Sequence, residues 1–277
     1  MKTIPPPDWL SLRRGNAPLL LSIPHAGTDL RGLDGRFVSS WRARRDADWW
    51  LEDLYGFATS LDATVVRTTV SRSVIDVNRD PSGQSLYPGT ATTEMCPTTT
   101  FDGEPLYTDG ATLGNAEIDA RRAQYFDPYH AALHNEVKRL RELHPRIVVY
   151  DCHSIRSRIP RLFDGLLPQF NIGSNGDLAC DPALSAAVAS VCAASPYSHV
   201  VNGRFKGGYI TRSLGRPTEG VHALQMELAC RGYLHEPDDV SPANWPAPYE
   251  SGYAAPLRAV LETVLERCVQ FALRPKN

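Results

Sequence analysis

Two unbroken apolar runs each lead into a histidine. Leu19 to Ile23 passes into Pro24-His25-Ala26-Gly27, and Ile147 to Tyr150 passes into Asp151-Cys152-His153-Ser154. Short apolar runs without alternation predict buried strands. An open α/β sheet binds its ligands at the carboxyl ends of parallel strands, so histidines placed where two such strands stop are expected to face one another across a crevice. A single histidine is ordinarily a core or surface group. The equivalent placement of two makes His25 and His153 candidate metal ligands.

The remaining pattern alternates strand-like and helix-like segments. Asp46–Leu61 reads as a helix, with Trp50, Leu51, Leu54, Tyr55 and Ala58 at helical spacing. Ala63–Val70 and Val74–Val77 read as strands, and Arg79–Tyr107, rich in Pro, Gly, Ser and Thr, reads as a functional loop. Ala116–His144 is helical in pattern, and Pro128 is expected to kink or divide it. Ser157–Asp177 is expected to be irregular, followed by a helix at Pro182–Ala194 and a strand at His199–Val201. Beyond the glycine-rich Asn202–Gly220 segment, a strand is predicted at Val221–Leu228 and an amphipathic helix at Ala255–Leu273. This order predicts an α/β fold, a mixed, mainly parallel sheet flanked by helices. A single domain over residues 1–277 is expected, with 1–16 as an amino-terminal extension and 255–273 as the closing helix.

Composition narrows the function classes. With 42% hydrophobic and 22% charged residues, a folded core is expected along most of the 277 residues. A net charge of −2 offers no broad basic field, which argues against nucleic acid as a partner. The segment Met1–Pro7 lacks the apolar stretch of a signal peptide, and no 18-residue apolar run occurs, so no membrane partner and a cytoplasmic location are expected. The six cysteines form no Cys-x-x-Cys pair, against a structural zinc knuckle or a disulfide framework. Cys152 points to the opposite strand face from His153 and reads as core. Nothing in the pattern sets the oligomeric state.

A hydrolytic zinc site commonly takes two imidazoles, one carboxylate and a water. Asp46 and Asp48 are candidates for the carboxylate, although the start of a predicted helix also favours acidic residues for capping. Asp151 shares a strand face with His153 and competes as a ligand or as a group that orients one. Gln225 and Glu227 fall on one face near the carboxyl end of a predicted strand, where polar groups are costly unless they meet a cavity or partners. Glu227 is therefore the candidate general base. Arg204, Lys206 and Arg212 stand among glycines, and Arg72 and Arg79 flank Val74–Val77; together they form a candidate cradle for carboxylates.

Ser22-Ile23-Pro24-His25-Ala26-Gly27, Arg45-Asp46-Ala47-Asp48-Trp49, Ser71 to Asp80, Pro97 to Gly103, Asp151-Cys152-His153-Ser154, Asn202 to Thr211 and Gln225-Met226-Glu227 occur in that order. From about residue 17 to residue 233 the chain resembles the N-formylglutamate amidohydrolase (deformylase) family. The resemblance implies a relative of the zinc carboxypeptidase and aspartoacylase (phosphorylase/hydrolase-like) fold. It also implies hydrolysis of N-formyl-L-glutamate to formate and L-glutamate in histidine degradation. His25 and His153 match the family's metal-ligand motifs, with Asp48 the preferred carboxylate by motif position and Asp46 in reserve. The carboxypeptidase pattern has a glutamate within one turn of the first histidine, whereas Gly27 and Thr28 follow here; at Trp50 the family often has histidine.

On this reading, zinc held by His25, Asp48 and His153 polarises the formyl oxygen and acidifies water, with iron, cobalt or nickel as other occupants of the same set. Glu227 moves the proton from water to the leaving nitrogen, and Arg79, Arg204 and Lys206 bind the substrate carboxylates. Three alternatives remain. A related zinc amidohydrolase for another N-acyl amino acid or short peptide shares every catalytic group. A serine hydrolase would use Ser154 or Ser22, but no Gly-x-Ser-x-Gly elbow is present. A non-catalytic metal-binding module needs neither Glu227 nor the cationic loop.

Overall fold

The computed structural model describes residues 7–84, 89, 92–111 and 113–274. Among the described residues, seven strands form one sheet: β1 (Leu10–Arg13), β2 (Leu19–Ile23), β3 (Thr64–Thr68), β4 (Ile147–Ile155), β5 (Phe170–Gly173), β6 (His199–Val201) and β7 (Val221–Ala229). Their order is β1-β3-β2-β4-β7-β5-β6. The β1/β3 and β5/β7 pairs are antiparallel and the other four are parallel, so the sheet is mixed and mainly parallel as expected. The helices are α1 (Ser40–Arg44), α2 (Leu51–Leu54), α3 (Asn115–Arg121), α4 (Asp127–Leu143), α5 (Pro182–Ala193), α6 (Tyr209–Leu214) and α7 (Ser251–Leu273).

Alternation along the central strands divides the core between the two sheet faces. Leu19 and Leu21 of β2, Val148, Tyr150 and Cys152 of β4, and Leu224 and Met226 of β7 pack with α5 and α7. Leu20, Ile147, Val149, Val221 and Ala223 face the other way, toward Tyr129, Leu133 and Leu140 of α4. Asp151 and His153 continue the Ile147–Val149 face, and Gln225 and Glu227 continue the Val221–Ala223 face. The β4/β7 register sets Asp151 opposite Gln225 and His153 opposite Glu227. Four polar side chains are thus gathered at one end of a buried sheet face.

Several local expectations need correction. Leu10–Arg13, assigned to an amino-terminal extension, is an edge strand paired with β3. The helix expected over Asp46–Leu61 is reduced to α2 and a 3-10 turn at Gly56–Thr59. Trp50 adopts φ 61°, a left-handed conformation that a continuous helix excludes. Val74–Val77 is not a strand: Val74 and Ile75 N–H groups both donate to Ser71 O in tight turns. Ser157–Asp177 contains β5, which becomes a strand through pairing with β7. The glycine-rich Asn202–Gly220 segment contains α6. Helix Asn115–Leu143 continues past Pro128 through a π-helical stretch, Arg122–Phe126, whose wider turn lies just before the proline ring. Residues 85–88, 90 and 91 of the expected loop, and residues 1–6, lie outside the described residues.

Candidate active site

β2 ends where Pro24 brings no N–H to continue the ladder, and His25 follows in the turn. Gly27 lets that turn press against Thr69 and Val70, because a Cβ there would lie 2.4–2.5 Å from their backbone atoms. The Asp48 N–H donates to His25 O at 3.0 Å, joining the Arg45–Trp49 turn to the first histidine. β4, by contrast, runs on to Ile155 in register with β7, so His153 stands inside its strand and not at the end.

The two Nδ1 atoms of His25 and His153 are 3.1 Å apart. Asp48 Oδ2 lies 3.2 Å from His153 Nδ1 and 3.8 Å from His25 Nδ1. Each histidine has a carboxylate behind it. His25 Nε2 is 2.7 Å from Asp76 Oδ1, and His153 Nε2 is 2.9 Å from Asp151 Oδ2. With the Nε2–H groups donating to these carboxylates, two imidazole Nδ1 lone pairs and a third acceptor, Asp48 Oδ2, converge on one point. Such a set could hold a cation: zinc bonds of about 2.0–2.1 Å on a tetrahedron separate ligand atoms by about 3.3 Å, close to these distances. Asp46 is not part of the cluster: its Oδ2 accepts the Phe101 N–H at 2.7 Å.

His25 and His153 line a cavity of about 270 Å³, and Asp48 is fully buried beside them. Glu227 and Gln225 line it from β7, Arg72 and Arg79 from the turn after β3, and Arg204 and Phe205 from the glycine-rich loop. Phe101 closes one side, with the Arg72 guanidinium 4.7 Å from its ring centre. Of the cations proposed from the sequence, Arg79 and Arg204 reach the cavity wall, whereas Lys206 is exposed and outside the described lining. Arg79 also donates to Thr93 O at 2.9 Å, and Arg204 Nε donates to Leu162 O at 2.8 Å, so both are held by the wall they form.

Residues 17–234 match the sequence profile of the family described as N-formylglutamate amidohydrolase. The chain belongs to that family. It is 44% identical over 261 residues to an N-formylglutamate deformylase of Pseudomonas aeruginosa, covering 94% of this chain and 95% of the relative. It is also 44% identical over 260 residues to one of Pseudomonas putida, covering 93% and 94%. Among solved structures, an N-formylglutamate amidohydrolase from Ralstonia eutropha JMP134 superimposes with a TM-score of 0.78 at 22% identity, over 95% of this chain and 98% of the other. An Agrobacterium tumefaciens gene product does so at 0.68 and 18% identity, over 95% and 96%. These two likenesses establish the shared fold.

Charge around the histidines is closely balanced. Burial and the nearby Arg72 lower the His25 pKa to about 4, against the pull of Asp76. Burial also opposes charge on His153, but the Asp151 and Asp48 carboxylates hold it well above the usual imidazole range. Burial pushes Glu227 up to about 8, with His153 opposing and Asp48 adding to the rise. Burial opposes ionisation of Asp76 too, yet Arg79, His25 and Arg72 keep its carboxyl well below the usual range.

Asp76 was missed as a functional residue from the sequence. A carboxylate inside the apolar Val74–Val77 run carried the necessary signal, since burying one without partners is costly. Asn78, whose Nδ2 donates to Asp151 Oδ2 at 3.2 Å, was likewise unassigned. The serine hydroxyls are engaged elsewhere, Ser22 with Tyr129 at 2.9 Å and Ser154 with Tyr233 at 2.8 Å. All six cysteines are free and buried, and no helix among the described residues is long and apolar enough to cross a membrane.

Proposed function

We propose that the chain hydrolyses N-formyl-L-glutamate to formate and L-glutamate. The observation that carries the reading is the convergence of His25, Asp48 and His153 beside Glu227, in a cavity whose wall includes Arg72, Arg79 and Arg204, in a chain of this family. His25, Asp48 and His153 would hold a divalent metal, zinc by the preference of imidazole ligands, and the ion would supply Lewis acidity toward the formyl oxygen and the attacking water. Asp76 and Asp151 fix the imidazole orientations from behind. Glu227 takes the proton of the attacking water and passes it to the glutamate nitrogen as the amide bond breaks. Arg79 and Arg204 hold the substrate carboxylates; Lys206, at the surface, is given no direct part. Arg72, buried beside the histidines, adds positive charge where the carbonyl oxygen becomes anionic.

Formate release from a panel of N-acyl amino acids tests this reading. N-formylglutamate is expected to be preferred over N-formylglutamine, because the neutral amide leaves a cation of the wall without its partner. Arg204→Ala is expected to raise KM for the acid with kcat little changed, as removal of uniform binding does. Equal use of acid and amide by the parent would refute the carboxylate-binding wall. A higher kcat/KM for another N-acyl amino acid would instead favour the related amidohydrolase.

A further inference from the structure

Gln225 has no role in the mechanism above, yet it is 3% exposed and borders the catalytic cavity beside Glu227. Its orientation is fixed by chemistry. The Gly208 N–H can only donate, and it lies 2.7 Å from Gln225 Oε1. The amide nitrogen must then face the other way, where it stands 3.1 Å from Glu227 Oε2. Gly208 reaches this position because it has no side chain: a Cβ would sit 2.4–2.7 Å from Asn78 side-chain atoms. Asn78 is anchored similarly, its Oδ1 accepting the Ile210 N–H at 2.8 Å.

We propose that Gln225 is the positioning residue of the Glu227 carboxylate: the Gly208 N–H locks the amide, and the amide nitrogen holds one carboxylate oxygen so that the other is presented for proton transfer. The proposal rests on Glu227 acting as the base. It also links the loop carrying Arg204 to the catalytic strand, because Gly208 follows Arg204 by four residues and is tied to β7 through this side chain.

Two substitutions separate holding the loop from holding the base. Gln225→Glu retains an acceptor for the Gly208 N–H but, when ionised, cannot donate to Glu227; Gln225→Leu loses both bonds. Kinetics on N-formyl-L-glutamate at pH 8, with metal content measured in parallel, should show Gln225→Glu with full metal and KM within about threefold of the parent. Its kcat should fall by about tenfold or more. A parent-like kcat in Gln225→Glu, whatever Gln225→Leu does, would overturn the proposal. A second readout needs neither metal nor activity. In a thermal-denaturation cycle on metal-stripped protein, the midpoint shifts of Gln225→Leu and Glu227→Ala should fail to sum in the double variant by about 2–4 °C. Additive shifts would overturn the pairing. A parent that does not hydrolyse N-formylglutamate would refute the proposed function, while the cycle would still decide the link between Gln225 and Glu227.

Discussion

His153, Gln225 and Glu227 are carried on strands paired through nine successive positions, whereas Arg79, Phe101 and Arg204 are carried on segments without a repeating backbone ladder. The floor of the cavity is a consequence of sheet register. Slipping β4 by one residue would send His153 into the Tyr150–Cys152 face of the core, so its placement cannot shift without disrupting the sheet. The wall depends on separate local ties. Asp46 holds the Phe101 backbone, Arg45 and Arg156 pair with Asp102, and Arg79 grips Thr93. Such ties can be broken one at a time, and the wall is therefore where substrate preference can vary above a constant floor.

Substitutions in the floor should have the largest effects. His25→Ala and His153→Ala are each expected to lose stoichiometric metal, because three protein ligands leave no redundancy. Asp48→Asn should weaken metal binding more than Asp46→Asn. Full metal content in both histidine variants would remove the metal site, and the reverse order for the aspartates would contradict the geometry.

A smaller effect is expected from the wall. Asp46→Asn should retain metal while lowering stability by about 1–3 kcal/mol, since the buried Arg45 and Arg156 each lose part of their charge partner. Chemical denaturation and metal analysis check both halves. An unchanged midpoint, or loss of metal, would show that floor and wall are not separable at this residue.

A further effect is electrostatic and belongs to the metal-stripped protein. The Glu227 pKa rises on folding from 4.5 to about 8. The folded state therefore binds more protons than the unfolded state between those values. Its contribution is fully present below pH 4.5 and is lost as pH rises toward 8. Glu227→Gln has no such group, so its melting temperature relative to the parent should climb across pH 5–8.5 in chelator. A constant difference would show that burial does not govern this carboxyl.

The same contrast explains what was legible in the sequence. Strand ends are written locally, in apolar runs stopped by Pro24 or followed by polar residues of one parity, and His25, His153 and Glu227 could be read from them. Motif position favoured Asp48 over Asp46, and the turn geometry that sends the two carboxylates to different places supplies the physical reason. Asp76 was hidden because its run resembles a strand when only apolar residues are counted. β5 was hidden because four residues become a strand only beside β7. Lys206 follows Arg204 by two residues yet stands at the surface, a distinction that loop composition does not carry.

Glu227→Gln, assayed for formate release from N-formyl-L-glutamate together with bound metal, tests the central claim most directly. The geometry predicts full metal occupancy with kcat lower by about two to four orders of magnitude. A variant that keeps both its metal and the parent's turnover would contradict Glu227 as the base; a parent that binds metal but hydrolyses no N-acyl amino acid or short peptide would leave the chain as a binding module.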